Sequence, residues 1–292
     1  MTNQRVVSKI GWLIFSLIAA ATAVSFFAVR AAAFQDSFLR VYFLNVGQGD
    51  AIFIQAPNGN QALIDGGPDG KIIQELSKIM PFHDRSIDLL ILTHPHADHV
   101  NGLLEVLKRY DIAQVLENYY PYETPEYAEW NKLKTEAQTA QAQAGQIVDL
   151  GLGIKMFVVY PDQVGAGQVK NNPNDASVVL KLVYGQNSLL LGGDIEAPVE
   201  KKLVATGADL DSDFLKIAHH GSKTSTAEEF LEAVTPELAF IQVGADNRYG
   251  HPHQIVLDRL ESLGVKYYRT DINGTIELML DGQSYFVEPS RQ

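Results

Sequence analysis

The sequence predicts a mixed α/β protein: two β-sheets sandwiched by helices, an αββα body of four layers, preceded by one N-terminal hydrophobic helix. Three observations predict it. β-rich segments and helical patterns are interspersed along residues 36–292. Three strand segments run directly into side chains of metal-ligand chemistry, at His94, Asp194 and His219. An apolar share of 46% over 292 residues is enough for a large folded core.

The N-terminus comes first. Ile10–Val29 is a run without a charge, and at roughly 1.5 Å per helical residue it spans about 30 Å, the depth of a hydrocarbon core. Arg5 and Lys9 precede it and Arg30 follows, which predicts the N-terminal end inside. "AAAF", from Ala31, offers the small residues that a signal peptidase accepts. Residues 1–35 are therefore an uncleaved signal anchor or a removed signal peptide. Either reading puts the body, residues 36–292, outside the cytoplasm, tethered to the membrane or secreted.

Within the body, Leu39–Val46, Asp50–Ala56 and Gln61–Gly67 read as strands separated by "GQG" and "PNGN" turns. Ile72, Ile73, Leu76, Ile79 and Met80 make a helical face. Ile87–Thr93 is a continuous apolar run, a strand covered on both sides, and it ends on His94. A helix follows His99, carrying Leu103, Leu104, Val106 and Leu107. A polar helix is expected over Pro125–Ala144, with Pro125 at its first position and Gly145 beyond its end. Ile154–Tyr160 is a strand, and Pro161–Asn174 a loop long enough to be functional. A hairpin turns at Gly185–Gln186, its second strand ending on Asp194. Asp213–Ala218 is a strand ending on His219. Ser225–Val234 is a helix with a Ser/Thr cap, Glu237–Val243 a strand, and Pro252–Gly264 a helix stopped by its glycine. Val265–Thr270 and Gly274–Leu280 finish the sheet.

The absence of cysteine excludes disulfides and thiol chemistry. Residues 1–35 hold three basic residues and no acid, so the body carries 20 basic and 35 acidic residues, a formal charge of −15. Such a surface disfavours broad nonspecific DNA binding, although metal ions could supply positive charge locally.

Eight histidines are present, and three of them fall in "HPHADH" with Asp98. At a strand end, His94 and His96 share a side because the side-chain period is two. The turn into a helix re-aims Asp98 and His99 at a second point. One segment thus offers two ligands to each of two ions, the arrangement of a bimetallic hydrolytic clamp. Asp194 is suited to bridge, and one of His219 and His220 would complete the second ion.

"THPHADH", "LIDGG", "LLLGGD" and "LKIAHHGSKTS" resemble, in order, the motifs of the metallo-β-lactamase superfamily. "FLNVGQGDA", "NDASVVL", "HHGSKTS" and "YGHPH" with "YRTD" resemble more closely the C-terminal hydrolase domain of the ComEC family of competence proteins, over about Leu39–Glu288. The resemblance implies metal ligands at His94, His96, Asp98, His99, Asp194 and His219 or His220. It implies Asp65 as a carboxylate orienting a ligand histidine, and catalytic roles for Asp98 and His251. One departure stands out. Where many members carry a further histidine ligand, this chain reads "PNDAS", so Asn174 or Asp175 would have to fill the gap. The alternative for those two is an Asx turn. Ser177 would donate to substrate or pack on its strand. Lys223 and Arg248 could hold a phosphate, and His253 reads as a surface residue.

The expected activity is an extracytoplasmic metal-dependent hydrolase, a phosphodiesterase or nuclease-like enzyme using a metal-bound hydroxide. Two divalent ions are expected, zinc or manganese, and the substrate would be DNA or a phosphodiester of a cell-envelope polymer. The rivals are a lactam, lactone or thioester hydrolase, and a non-catalytic, metal-stabilised binding module of DNA uptake.

Overall fold

The computed structural model describes residues 37–162 and 172–291. The apolar run Ile10–Val29 and most of the Pro161–Asn174 loop lie outside the described residues. Among the described residues no helix is long and apolar enough to cross a membrane.

Alternation builds the first sheet. In β1 (Leu39–Phe43), Leu39, Val41 and Phe43 enter the core between the sheets, while Tyr42 turns to the opposite face. β2 (Ile52–Gln55), β3 (Gln61–Ile64), β4 (Ser86–Leu92), β5 (Asp111–Glu117) and β6 (Gln138–Gln141) extend it on one side; β14 (Ile276–Leu280) and β15 (Tyr285–Pro289) extend it on the other. The order is β15-β14-β1-β2-β3-β4-β5-β6. The second sheet runs β13-β12-β11-β10-β9-β8-β7, from β7 (Ile147–Gly151), β8 (Ile154–Tyr160), β9 (Val179–Tyr184), β10 (Asn187–Leu191), β11 (Phe214–Lys216), β12 (Leu238–Ile241) and β13 (Lys266–Arg269). The inner faces meet in one core, where Phe43 of the first sheet stacks on Phe240 of the second at 4.1 Å between ring centroids.

Helices cover both outer faces. α1 (Lys71–Ile79), α2 (Ala97–Leu107) and α3 (Pro125–Leu133) pack on the first sheet, through Ile72, Leu76, Val100, Leu103 and Trp130. α4 (Ala197–Ala205), α5 (Glu228–Val234) and α6 (Gln254–Ser262) pack on the second, through Val199, Leu203, Phe230, Leu231, Val256 and Leu260. The αββα sandwich is the expected one. α2 lies against the turn after β3 so closely that a Cβ on Gly102 would sit 1.8 Å from the Gly66 carbonyl oxygen. Only glycine permits that approach.

Four expectations need correction. The helix from Pro125 ends at Leu133, well short of Ala144. Thr124 caps it and Pro125 opens it, but Lys134 then turns inward to pair with the buried Glu117, and the exposed segment Gln138–Gln141 adds to β5 as a parallel edge strand. α2 starts before His99, with His96 at its N-cap, so Asp98 and His99 occupy its first turn. β13 and β14 do not finish one sheet: β13 closes the second sheet, and β14 returns to pair with β1.

The fourth concerns α5, which has no Ser/Thr cap. Its N-cap is Ala227, and the Thr226 and Ala227 N–H groups donate to the Glu200 carboxylate of α4 at 2.6 and 2.9 Å. Burial pushes the Glu200 carboxyl up to about 7, against those two N–H donors and Arg259, which all favour the charge. A carboxyl whose folded pKa lies above its unfolded value stabilises most when protonated. Its contribution is complete below about pH 4.5 and is lost as pH rises through about 7. Between pH 5 and 8 the wild type should lose about 2–3 kcal/mol relative to Glu200→Gln. Urea denaturation of both proteins at the two pH values measures this, and a constant difference would remove the shifted titration.

Candidate metal centre

One rim of the sandwich collects the polar ends of the strands. β3 delivers Asp65, β4 delivers Thr93 and His94, and β10 delivers Asp194 through Gly192 and Gly193. β11 carries Lys216 and leads to His220, and β12 leads to Gln242. β10, β11, β12 and β13 are mutually parallel, so their carboxyl ends open on the same edge, where ligands bind in sheets of this kind.

The imidazoles converge on one carboxylate oxygen. Asp194 Oδ2 lies 3.2 Å from His99 Nε2, 3.5 Å from His220 Nε2 and 3.9 Å from His94 Nε2. His94 Nε2 is 3.1 Å from His96 Nδ1, and Asp98 Oδ2 is 3.3 Å from His220 Nε2. Ligand atoms of His94, His99 and Asp194 lie within 4.8 Å of one another, as do those of Asp98, His99 and His220.

The other ring nitrogen of each buried histidine is held by the protein. His99 Nδ1 donates to Asp65 Oδ2 at 2.8 Å. Asp65 is fixed in turn by the Thr93 N–H at 2.8 Å and the Thr93 hydroxyl at 2.7 Å. That hydroxyl is then an acceptor for His94 Nδ1, 3.1 Å away, and Ser177 Oγ stands 3.3 Å from the same nitrogen. Ser177 Oγ also accepts the Asp194 N–H at 3.0 Å. His220 Nδ1 donates to the Gln242 carbonyl at 3.0 Å and lies 3.2 Å from Asp50 Oδ1. With these partners on the Nδ1 side of each ring, Nε2 is the nitrogen turned toward Asp194, and it is the atom that would bind a metal once its proton is displaced.

Charge points the same way. Asp50, Asp65 and Asp194 crowd one buried region with Asp98 at its edge, and the buried Lys216 pairs with Asp50. Burial lowers the His220 imidazole, but Asp194 and Asp50 outweigh it and raise it to about 10. His99 is likewise lowered by burial and lifted well above its ordinary value by Asp194, Asp65 and Asp98. Burial and the neighbouring His99 keep His94 and His96 below theirs. Asp194 Oδ1, Asp50 Oδ1 and His220 Nε2 are buried without a hydrogen-bond partner among the described residues. His220 Nε2 is close to two carboxylates yet lacks hydrogen-bond alignment with either. Unpaired, close-set oxygen and nitrogen donors with surplus negative charge fit a divalent cation.

The paired histidines part company. His219 and His220 both adopt left-handed backbone conformations, with φ of 51° and 55°, and Gly221 follows at 81°. The twist buries His220 beside Asp98 and Asp194. It leaves His219 half-buried at the rim, 3.4 Å from both Glu196 Oε1 and Asn174 Nδ2. Of the two, only His220 joins the cluster.

Other expected residues lie around it. Asn174 is buried against His219 and Glu196. Asp175 accepts the Glu196 N–H at 3.2 Å, the structural use of an Asx side chain. Ser177 stands behind His94 and Asp194. Lys223 is exposed, and its backbone N–H donates to His253 Nδ1. An open cavity of about 330 Å³ lies over the cluster, with Gln48, Tyr122, His219, Tyr249 and His251 around His96, Asp98, Asp194 and His220. Burial, His220 and His219 push His251 down to about 4, so its ring is neutral near pH 7.

Sequence reasoning missed Asp50 and Lys216. A signal for each existed: an acid directly after a Gly-Gln-Gly turn, and a lone lysine inside the apolar strand "DFLKIA". An isolated charge in a buried strand needs a buried partner.

The chain matches the family model described as the metallo-beta-lactamase superfamily over residues 44–244. It is 30% identical over 256 residues to ComE operon protein 3 of Bacillus subtilis, covering 81% of this chain and 32% of that protein. It is 29% identical over 261 residues to Competence protein ComA of Neisseria gonorrhoeae, covering 87% of this chain and 34% of that one. The chain thus spans about a third of the length of these curated relatives. Among solved structures, the metallo-beta-lactamase fold protein YhfI from Bacillus subtilis superimposes with a TM-score of 0.53 at 10% identity, covering 82% of this chain and 99% of that one. With its fold, its motif order and its rim of histidines and aspartates, the chain belongs to the metallo-beta-lactamase superfamily and is a metal-dependent hydrolase of that fold.

Proposed function

We propose that this protein is a phosphodiesterase of nuclease type that works outside the cytoplasm with two divalent ions, zinc or manganese. The observation that carries the reading is the convergence of three buried imidazole Nε2 atoms on Asp194 beneath an open cavity. The competence relatives and the body's likeness to them support a nucleic-acid phosphodiester, with a cell-envelope phosphodiester as the other candidate of the same chemistry. The uncharged run Ile10–Val29, with Arg5 and Lys9 before it, supports export and membrane attachment.

His94, His96 and Asp194 would hold one ion, and Asp98, His99 and His220 the other, with Asp194 shared. Bound there, divalent ions supply Lewis acidity toward an anionic substrate and lower the pKa of water. The chain's own residues do the rest. Asp65, Thr93 and Gln242 lock the histidine tautomers. Asp98, the partly exposed carboxylate of the cluster, aligns an attacking water through an oxygen at the cavity floor. His251, neutral at the cavity wall, is placed to hydrogen-bond a substrate oxygen near the departing group.

The test uses the full chain, stripped of metal and reloaded with zinc or manganese. Expected are about two ions per chain and metal-dependent cleavage of bis-p-nitrophenyl phosphate and of DNA. Full metal loading with no phosphodiester cleaved, but with a lactam or lactone opened, would overturn the proposal.

A further inference from the structure

The cavity has an aromatic wall that the chemistry above does not use. Tyr249 lines it and is 51% exposed. Its ring stacks on His251 at 5.7 Å between centroids and 24° between planes. Tyr122, also lining the cavity, sets its ring edge-on to His96 at 5.8 Å. Aromatic side chains therefore lie beside histidines of both the metal cluster and the cavity wall.

A large exposed ring in a surface loop is usually mobile, but this loop is fastened. Asn247 Nδ2 donates to the carbonyls of Gly244 and His251 at 2.8 and 2.7 Å, and Asn247 Oδ1 accepts the His251 N–H at 2.9 Å. The segment between those anchors, Arg248–Gly250, is therefore held as a tight bridge. Arg248 lies over the Tyr249 ring at 5.2 Å and donates to its hydroxyl at 3.1 Å, so an exposed cation accompanies the exposed ring. Polar recognition is also at hand. Gln48 Oε1 is committed to the Gly244 N–H at 3.1 Å, while its buried Nε2 has no hydrogen-bond partner among the described residues, nor has His251 Nδ1. Both residues line the same cavity.

We propose that Tyr249 is a stacking platform for one unpaired nucleobase of the substrate, which displaces the exposed Arg248 from over the ring and leaves its guanidinium for an adjoining phosphate. This rests on the phosphodiesterase reading and narrows it to single-stranded nucleic acid. A base reaches the ring face only when it is out of a duplex stack. The body's charge of −15 disfavours the long-range attraction that holds duplex backbones. Stacking on a fixed ring gives affinity that tolerates any base.

The experiment measures binding of the full chain to a cleavage-resistant phosphorothioate oligothymidylate, to an abasic strand of the same length, and to the corresponding duplex. Wild type should bind the thymidylate strand about tenfold more tightly than the abasic strand, and more tightly than the duplex. Tyr249→Ala should erase the difference between the two single strands, and Tyr249→Phe should keep it. Arg248→Gln should weaken both single strands alike and reduce the salt dependence. Equal affinity of wild type for the abasic and thymidylate strands, or an undiminished preference in Tyr249→Ala, would overturn the proposal. Failure of the underlying reading is distinct, because it appears as absent cleavage of bis-p-nitrophenyl phosphate by the metal-loaded wild type.

Discussion

Replacing Asp194 with alanine is expected to lower phosphodiester turnover roughly 10³-fold or more and to bring bound metal to one ion per chain or fewer. The expectation follows from where Oδ2 sits. It lies within 3.9 Å of three imidazole nitrogens, contributed by both halves of the body. Without it the rings retain their Nδ1 partners and stay in place but lose the anion on which they converge. The fold should survive. The backbone at residue 194 is held by its N–H bond to Ser177, which alanine keeps. In the metal-free state the loss of this carboxylate also removes the counter-charge of His99 and His220, so the melt should shift downward while staying cooperative. Asp194→Asn, with the same shape and no charge, should lose metal almost as fully. Metal content by elemental analysis, hydrolysis at saturating metal and a thermal melt of each variant check the three statements. A variant that keeps near-wild-type turnover would show that Asp194 is not the shared ligand.

The second large effect is on stability. Lys216→Met should destabilise the protein by about 3–5 kcal/mol. Lys216 and Asp50 are both buried and paired, and Lys216 Nζ also lies 3.3 Å from the Gly193 carbonyl. Methionine fills most of the space but leaves the Asp50 carboxylate buried without its cation. Most of the cost is therefore the unpaired charge rather than a lost contact. The double variant Asp50→Asn/Lys216→Met should recover most of the loss, because it neutralises both members. Urea denaturation of the two single variants and the double variant closes the cycle. Wild-type stability in Lys216→Met would mean that the pair is not coupled.

Much of this was legible in the chain. β-rich composition between glycine-containing turns located β1 and β2, and the apolar run located β4, whose residues Leu89–Leu92 are all buried while Ser86 and Asp88 lie exposed at its start. The ligand-rich strand ends were legible because their chemistry is concentrated in short motifs. The helix over Pro125–Ala144 was misread for a physical reason. Gln, Thr and Ala at 138–141 carry no strong preference, and the β5 edge, unknown from the sequence, recruits them as a strand. The choice between His219 and His220 depends on three successive positive φ values, which neighbouring identical residues cannot advertise. Asp50 and Lys216 are 166 positions apart, and a pairing over that distance becomes visible only once the sheets are stacked.

Asp65, His94, Asp98 and His99 come from the first sheet and its helix, whereas Asp194, Lys216 and His220 come from the second. Neither half of the body owns the pocket. A fragment ending before β9, however well it folded, would display half a chelate, and so would the complementary piece. Reactivity in this protein is thus a readout of completed assembly: a partly closed intermediate has no gathered donors with which to do premature chemistry, and any ion gripped by both halves acts as a rivet across the seam.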